Sequence, residues 1–367
     1  MMAVYSLKIT TLSPLHIGDG NELRQGFDFM VQGNKTYRLN ENAVLEKKHD
    51  KLKPSPQGVY PLPGNLLVEQ DYSNPEFFRY ILPGIPRSRR ADARLKTCTK
   101  DVYDRPYIPG SSLKGALRTA LAWTGWQEVN PQLDRSAIGR NRFGAGQTLE
   151  RRIFGDNPNH DLLRALQVSD CSGVQKPGGG LMIVNAQVLT MKSAGSPVEL
   201  EAIVGDKTFT GSIHIDDFLF SQMAERELHF SNRQHWLNEL MLRVQKRTQA
   251  RLTELIPWFE KAQNGNRIVE FYRQLLSLKL DKNHALIQLG WGTGWDGTTF
   301  GSHLQKDPQL FEQIVRDFRM HRAQPGSPPR KPGDPFPRSK RAAMIVKEGV
   351  ANPAAPLGWV LLEMEKV

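Results

Sequence analysis

The chain has 367 residues, 39% hydrophobic and 24% charged, with 49 Lys and Arg against 38 Asp and Glu, a net charge of +11 and a pI near 9.6. That length accommodates two ordinary domains with their own cores, which excludes a single small module, and the positive excess points to a polyanionic partner, nucleic acid first. Only Cys98 and Cys171 occur, with no CxxC pair or zinc spacing, no membrane-length apolar run and no export leader at Met1–Thr11, so a cytoplasmic protein without disulfides, metal or cofactor is expected.

Val4 to Leu12 alternates apolar and polar residues as a half-buried strand does, and Ser13-Pro14 with Gly18-Asp19-Gly20 ends it. Residues 21–105 then turn irregular, with short strand candidates at Phe27–Val31 and Thr36–Leu39 and Pro/Gly punctuation from Pro54 to Pro86, so the segment reads as an insertion. Pro109-Gly110-Ser111 opens a helix reaching Trp123, with Ser111 as cap and Leu113, Ala116, Leu117, Ala120 and Leu121 at helical spacing. Leu181–Leu189 is a strand, and Val198–Val204 and Thr208–Ile215 alternate as a hairpin pair.

Between Ser231 and Glu260 the positions Leu237, Met241, Val244, Leu252, Leu255 and Phe259 mark an amphipathic helix with a kink at Pro257. Arg243, Arg247 and Arg251 sit four apart on another side of it, as a basic stripe or a solvated face. Arg267–Leu280 and Pro308–Met320 read as further helices, Gly358–Met364 as a closing strand, and Pro325–Pro337, with six prolines, as an exposed loop. Two βα-rich halves imply an α+β fold in two domains. The first is 1–176 with an insertion at about 21–105; the second is 177–367 with a helical insertion and a Pro-rich loop at 324–337.

The basicity is focused. Arg79–Arg118 holds ten Lys/Arg and three Asp, and Phe318–Lys347 holds eight Lys/Arg and one Asp, +7 each, so together they exceed the whole-chain +11. Within Ile108–Arg118, free amides at a helix start, with Lys114 and Arg118 on one face, would grip a phosphate; an ordinary capped helix with exposed basic residues is the alternative. The Gly-x4-Gly-Lys-Ser/Thr order of a P-loop is absent. In Leu289-Gly290-Trp291-Gly292-Thr293-Gly294-Trp295-Asp296-Gly297, bare main chain can approach a ligand and the tryptophans can stack on bases, or the tryptophans are core and the segment a tight turn. A dinucleotide site would need a helix directly after the glycines, where Asp296 to Thr299 reads as turn. His16 follows the first strand, and the pairs His49-Asp50 and His160-Asp161 lack the further ligands of a metal phosphohydrolase.

These segments resemble the RAMP (repeat-associated mysterious protein) superfamily, and within it the family of the fifth Csm subunit of type III-A CRISPR effector complexes. The resemblance is carried by Leu12 to Gly20 after the opening strand, Ile108 to Arg118, the loop Gly290 to Gly294, and Phe336-Pro337-Arg338-Ser339-Lys340-Arg341. It implies ferredoxin-like, RRM-type domains that hold CRISPR RNA. It also implies a non-catalytic subunit that caps the RNA 3′ end, touches the last backbone RAMP subunit, supports guide maturation in antiviral defence, and works beside other subunits and target RNA. Carried over residue by residue, Ser111, Ser112, Lys114 and Arg118 would touch the guide backbone, His16 would line the same groove, Gly290, Gly292 and Gly294 would set main chain against RNA, and Arg338, Lys340 and Arg341 would extend that surface. Two alternatives stay open: a metal-independent RAMP endoribonuclease with His16 as acid or base, and a terminal RAMP subunit of a type III-B complex.

Overall fold

The computed structural model describes residues 2–88, 90, 92–139, 141–191, 194–322, 328–347 and 350–367. In chain order the strands are β1 (Met2–Thr11), β2 (Gly18–Arg24), β3 (Phe29–Gln32), β4 (Lys35–Leu39), β5 (Phe78–Pro83), β6 (Arg94–Cys98), β7 (Leu166–Val168), β8 (Leu181–Leu189), β9 (Ala194–Ile203), β10 (Thr208–Asp216), β11 (His284–Gln288), β12 (Lys340–Lys347), β13 (Val350–Ala355) and β14 (Trp359–Lys366). They form a five-stranded sheet ordered β11-β14-β1-β10-β7, a six-stranded sheet ordered β13-β12-β8-β9-β6-β2, and a small sheet β3-β4-β5.

The opening strand lies at the centre. β1 pairs antiparallel with β10 on one side and β14 on the other, and its alternating Leu7 and Ile9 are buried. Both large sheets draw strands from either side of residue 176, so the linear halves do not map one to one onto sheets. The insertion at 21–105 carries the small sheet, with Tyr37, Leu39, Val44, Phe77 and Phe78 as its own core, while its ends β2 and β6 join the six-stranded sheet.

The strands at Val198–Val204 and Thr208–Ile215 exist but are not a hairpin pair: β9 pairs with β8 and β10 with β1, in different sheets. Thr11 enforces the separation. Its N–H donates to Lys207 O (2.9 Å), its hydroxyl donates to Val204 O (2.7 Å), and its carbonyl accepts from Asp206 N (2.7 Å). The connection is thereby pinned to the end of β1 instead of closing a two-strand turn.

The expected helices form, and the helix at Gly110–Val129 runs beyond Trp123. It buries Leu113, Leu117, Ala120 and Leu121 completely or nearly so, about 1.5–3 kcal/mol for each leucine. The helix Leu240–Lys261 contains Pro257 and buries Met241, Val244, Leu252, Leu255 and Phe259, as their spacing requires. Arg243, Arg247 and Arg251 are neither solvated nor an outer stripe, being only 6%, 5% and 6% exposed. Their charges are met by groups distant in sequence. Arg243 reaches Glu128 (2.7 Å) and stacks on Trp236, and Arg247 stacks on Trp123 and donates to Asp296 O (2.6 Å).

The described part of the Pro-rich segment is a largely exposed loop, as expected, but it is tied down at two points. Residues 325–327 lie outside the described residues, but Arg330 is buried in a two-pronged ion pair with Glu312 (2.7 Å each). Phe336 packs on Trp295 and Phe311. Among the described residues no helix is long and apolar enough to cross a membrane.

Candidate functional site

Three segments far apart in the chain meet at one end of β1. Leaving that strand, Ser13 Oγ accepts from Trp359 N (2.9 Å), Pro14 O accepts from Gly358 N (2.8 Å), and Leu15 exchanges backbone hydrogen bonds with Ile203 (2.9 and 2.8 Å). The Leu12–Gly20 motif is thus clamped between the two large sheets. His16 is 2% exposed, and its Nδ1–H donates to Glu201 O (2.6 Å), which assigns the proton to that nitrogen. Burial holds its pKa below the ordinary value against the raising effect of that hydrogen bond. Glu201 itself is fully buried and held by Lys100 (2.5 Å), Tyr80 Oη (2.8 Å) and Cys98 N (3.0 Å).

The glycine loop follows β11 and lies against this motif. Trp291 N donates to His16 O (2.8 Å), and Gly290, at φ +70°, leaves no room for a side chain, because a Cβ would stand 2.3 Å from that same oxygen. Thr293 Oγ1 closes the turn on Gly290 O (2.8 Å). Outward, the Trp291 ring meets His16 edge-on at 6.3 Å, and the exposed Arg341 at the start of β12 lies 4.6 Å over the indole. Main chain, an aromatic face and a cation thus form one continuous surface, with exposed Arg338 nearby in sequence, held by Pro328 O (2.7 Å).

Behind the loop the charge is internal. Lys340 Nζ binds Asp296 Oδ2 (2.6 Å), and Arg251 donates to Gln288 Oε1 (2.7 Å) and Thr293 O (2.7 Å). Burial alone would raise the Asp296 carboxyl, but Arg251 and Lys340 overcome it and hold the group below the usual carboxylate range. Burial lowers the Lys340 ammonium, with Asp296 opposing. Arg247 is pushed down to about 10 by burial and by Arg251 beside it. Lys340 is therefore a partly buried, paired cation and not the open surface charge expected of it. Asp296 also stands in a one-turn helix, Trp295–Thr298, where a turn is expected.

The fourth segment lies elsewhere. The Gly110–Val129 helix starts against β7, at the opposite edge of the five-stranded sheet from β11, so four strand spacings, about 19 Å, separate the two edges. Its first amide, Gly110 N, donates to Asp170 Oδ1 (2.8 Å), and Pro109 stands at the cap position without a side-chain bond. Ser111 is consequently inside the first turn instead of capping it, and part of the expected phosphate grip is already met by a carboxylate. Ser111 is exposed and Ser112 half-buried. Arg118 pairs with Asp161 (2.7 Å) and Glu150 (3.3 Å) and stacks on Phe154, while half-buried Lys114 lines an open groove of about 530 Å³ with Arg151 and Arg164. The Lys114 groove and the glycine loop thus belong to opposite edges of the five-stranded sheet.

Sequence reasoning noticed the Arg243/Arg247/Arg251 spacing but not its destination, and it passed over Glu201, Tyr80 and Lys100. Within the His-Asp pairs, His160 binds Asn157 and Asp161 binds Arg118, and His49 binds Glu46 O.

Residues 8–295 match the family model described as RAMP superfamily. The chain is 27% identical over 190 residues to the CRISPR system Cms protein Csm5 of Streptococcus thermophilus, covering 45% of this chain and 51% of that protein. It is 25% identical over 208 residues to the protein of the same name from Methanocaldococcus jannaschii, covering 55% and 48%. Each match therefore spans about half the length of the curated relative. In fold, the chain is similar to a chain of the cryo-EM structure of a Csm-crRNA-target RNA ternary complex of a type III-A CRISPR-Cas system, with a TM-score of 0.69, 22% identity, and 99% and 100% of the two chains covered. The crystal structure of T. onnurineus Csm5 superposes with a TM-score of 0.61 and 21% identity, covering 96% and 99%. With the family match running through the opening strand, the helix at Gly110 and the glycine loop, the chain belongs to the RAMP superfamily and has its ferredoxin-like α+β fold.

Proposed function

We propose that the chain is a non-catalytic subunit of a type III-A effector complex that holds CRISPR RNA at its 3′ end beside the backbone RAMP subunits, other subunits and target RNA. The observation that carries this reading is the convergence of the glycine loop and Arg341 over the buried His16 motif, where Arg341 lies over the Trp291 ring and His16 meets that ring in a T-shaped contact. A ribonucleotide strand needs what this surface gathers: glycine main chain, an aromatic side chain and a positive charge. The names of the relatives and the full-length fold likeness to a Csm subunit support the same assignment. Its setting in a cytoplasmic assembly is part of the proposal. His16, buried with Nδ1 committed to Glu201 O, serves in this reading as a scaffold for the loop and not as a proton carrier.

The test is twofold. Tagged protein purified from its host should bring down RAMP subunits and RNA with a defined 3′ region. In fluorescence anisotropy with single-stranded repeat RNA, Trp291→Ala should weaken binding by about 5- to 150-fold, the stacking of one base at roughly 1–3 kcal/mol. Arg341→Ala should make the log–log salt slope shallower by about 0.7. Unchanged affinity and slope in both variants would remove this surface from RNA binding. Cleavage of repeat RNA by the isolated protein, lost in His16→Ala, would replace the binding role by the endoribonuclease one.

A further inference from the structure

Behind the glycine loop lies a cavity of about 320 Å³. This is near the lower bound of small-molecule sites, roughly 300–1,000 Å³. It is lined by the half-buried Trp295, by Arg251, Lys340, Arg341 and the carboxylate of Asp296, and by the main chain at Gly292–Gly294, with the rings of Phe259 and Tyr272 buried against it. Such a lining suits a ligand with one flat apolar part and one anionic part.

The charge around the cavity does not balance. Three cations, Arg251, Lys340 and Arg341, line it with one carboxylate, Asp296, which is 2.6 Å from Lys340 and 3.7 Å from Arg251; behind them Glu254 reaches only Arg247, at 4.0 Å. Burial pushes the Glu254 carboxyl up, against Arg247 and Arg251, which weakens its claim as a counter-charge. Arg251 is 6% exposed and its Nη1 has no hydrogen-bond partner. A buried donor left unmet costs about 1–3 kcal/mol, and more when charged, so a fold retaining one in a cavity wall has room for an acceptor there. A carboxylate already shared by Arg251 and Lys340 fixes both cations in place, ready for a second anion.

We propose that this cavity receives a nucleoside monophosphate unit, with its phosphate on Arg251 and Lys340 and its base against Trp295. The chemistry is the same whether the unit is a phosphorylated terminus of an RNA strand or a free nucleotide. The first source rests on the RNA-holding role proposed above; the second does not. The inner cavity and the Trp291 surface would then read one strand at two depths, stacked outside and anchored by its last phosphate inside.

Isothermal titration of the full chain with adenosine 5′-monophosphate, adenosine and inorganic phosphate tests the pocket. The monophosphate should bind at least tenfold more tightly than adenosine, with inorganic phosphate competing. Lys340→Met should weaken the monophosphate tenfold or more with circular dichroism unchanged. Equal affinity for adenosine and its monophosphate in the parent chain overturns the proposal, whatever the variant does, and so does a folded Lys340→Met with parental affinity. A short RNA bearing a terminal phosphate should displace the monophosphate, while its hydroxyl-ended counterpart should not, which assigns the ligand to a chain end. Monophosphate binding that RNA of neither kind displaces supports the free nucleotide as ligand. A chain that binds RNA but no monophosphate refutes the cavity and leaves the RNA role standing. One that binds the monophosphate but no RNA does the reverse.

Discussion

Adding one methyl group at Gly290 measures how firmly the glycine loop is seated on the opening motif. At φ +70° an alanine enters the left-handed region at a cost of about 1–2 kcal/mol. Its Cβ would also stand 2.3 Å from His16 O and 3.1 Å from His16 C, far inside van der Waals contact, so the loop must lift. Lifting it breaks the 2.8 Å hydrogen bond from Trp291 N to that carbonyl and leaves both partners unmet, about 1–3 kcal/mol more. Gly290→Ala should therefore lose about 2–5 kcal/mol in urea unfolding followed by tryptophan fluorescence. Gly115→Ala is the matched control: it lies exposed inside the Gly110–Val129 helix with no atom within 4 Å of its Cβ, and it should gain about 0.5–1 kcal/mol. A Gly290→Ala chain as stable as the parent, or one indistinguishable from Gly115→Ala, would refute the reasoning.

Lys100→Met strands the fully buried Glu201 carboxylate, whose other partners are neutral donors, and should cost about 3–5 kcal/mol by urea unfolding; Lys100→Met with Glu201→Gln should recover part of it. Burial lowers the His303 pKa to about 4 from 6.5, and the ring is stacked on Trp123 and Trp126. The unfolded chain binds a proton below pH 6.5 that the native chain refuses until about pH 4, so this group's stability is complete above 6.5 and falls by up to roughly 1.4 kcal/mol per pH unit between those values. His303→Phe should flatten the stability profile in that window relative to the parent, and parallel profiles would contradict it. Arg118 is held by two carboxylates, so Arg118→Ala should leave the RNA salt slope within error, in contrast to Arg341→Ala; equal changes would show that the ion pairs open on binding.

What could be read in advance was local. The alternation of β1 and the core spacing of the Leu240–Lys261 helix are each set by neighbours within a few residues, and they stand where expected. Pairing was less legible. β9 and β10 are adjacent in sequence and both alternate, yet their partners are decided by Thr11, some 190 residues away, which anchors the connection between them. The arginine row at 243, 247 and 251 has the spacing of a surface stripe, and nothing local reveals that Glu128, Trp123, Trp236 and Asp296 fold over it. The helix at Gly110 has the form of an anion site, and only the arrival of Asp170 shows that its first amide is taken.

Those buried partners change what the net charge of +11 means. Arg243, Arg247 and Arg251 are inside, Lys100 is paired with the buried Glu201 and Lys340 with the half-buried Asp296, and Arg118 and Arg330 are held by two and one acids respectively. Much of the focused basicity is therefore structural, holding the helices to the sheets in the way hydrophobic contacts do elsewhere. An internal ion pair whose charges balance is poorly placed to neutralise a phosphate, since its Coulombic demand is already met; the Arg251, Lys340 and Asp296 group, with two cations on one carboxylate, is the exception. Among the described residues the cations left for a polyanion are those with an exposed or aromatic setting, which include Arg341 and Arg338 beside the loop and Lys114 across the sheet. RNA affinity in this chain should accordingly depend on few charges and on stacking, giving a salt slope far shallower than eighteen basic residues in the two clusters would suggest.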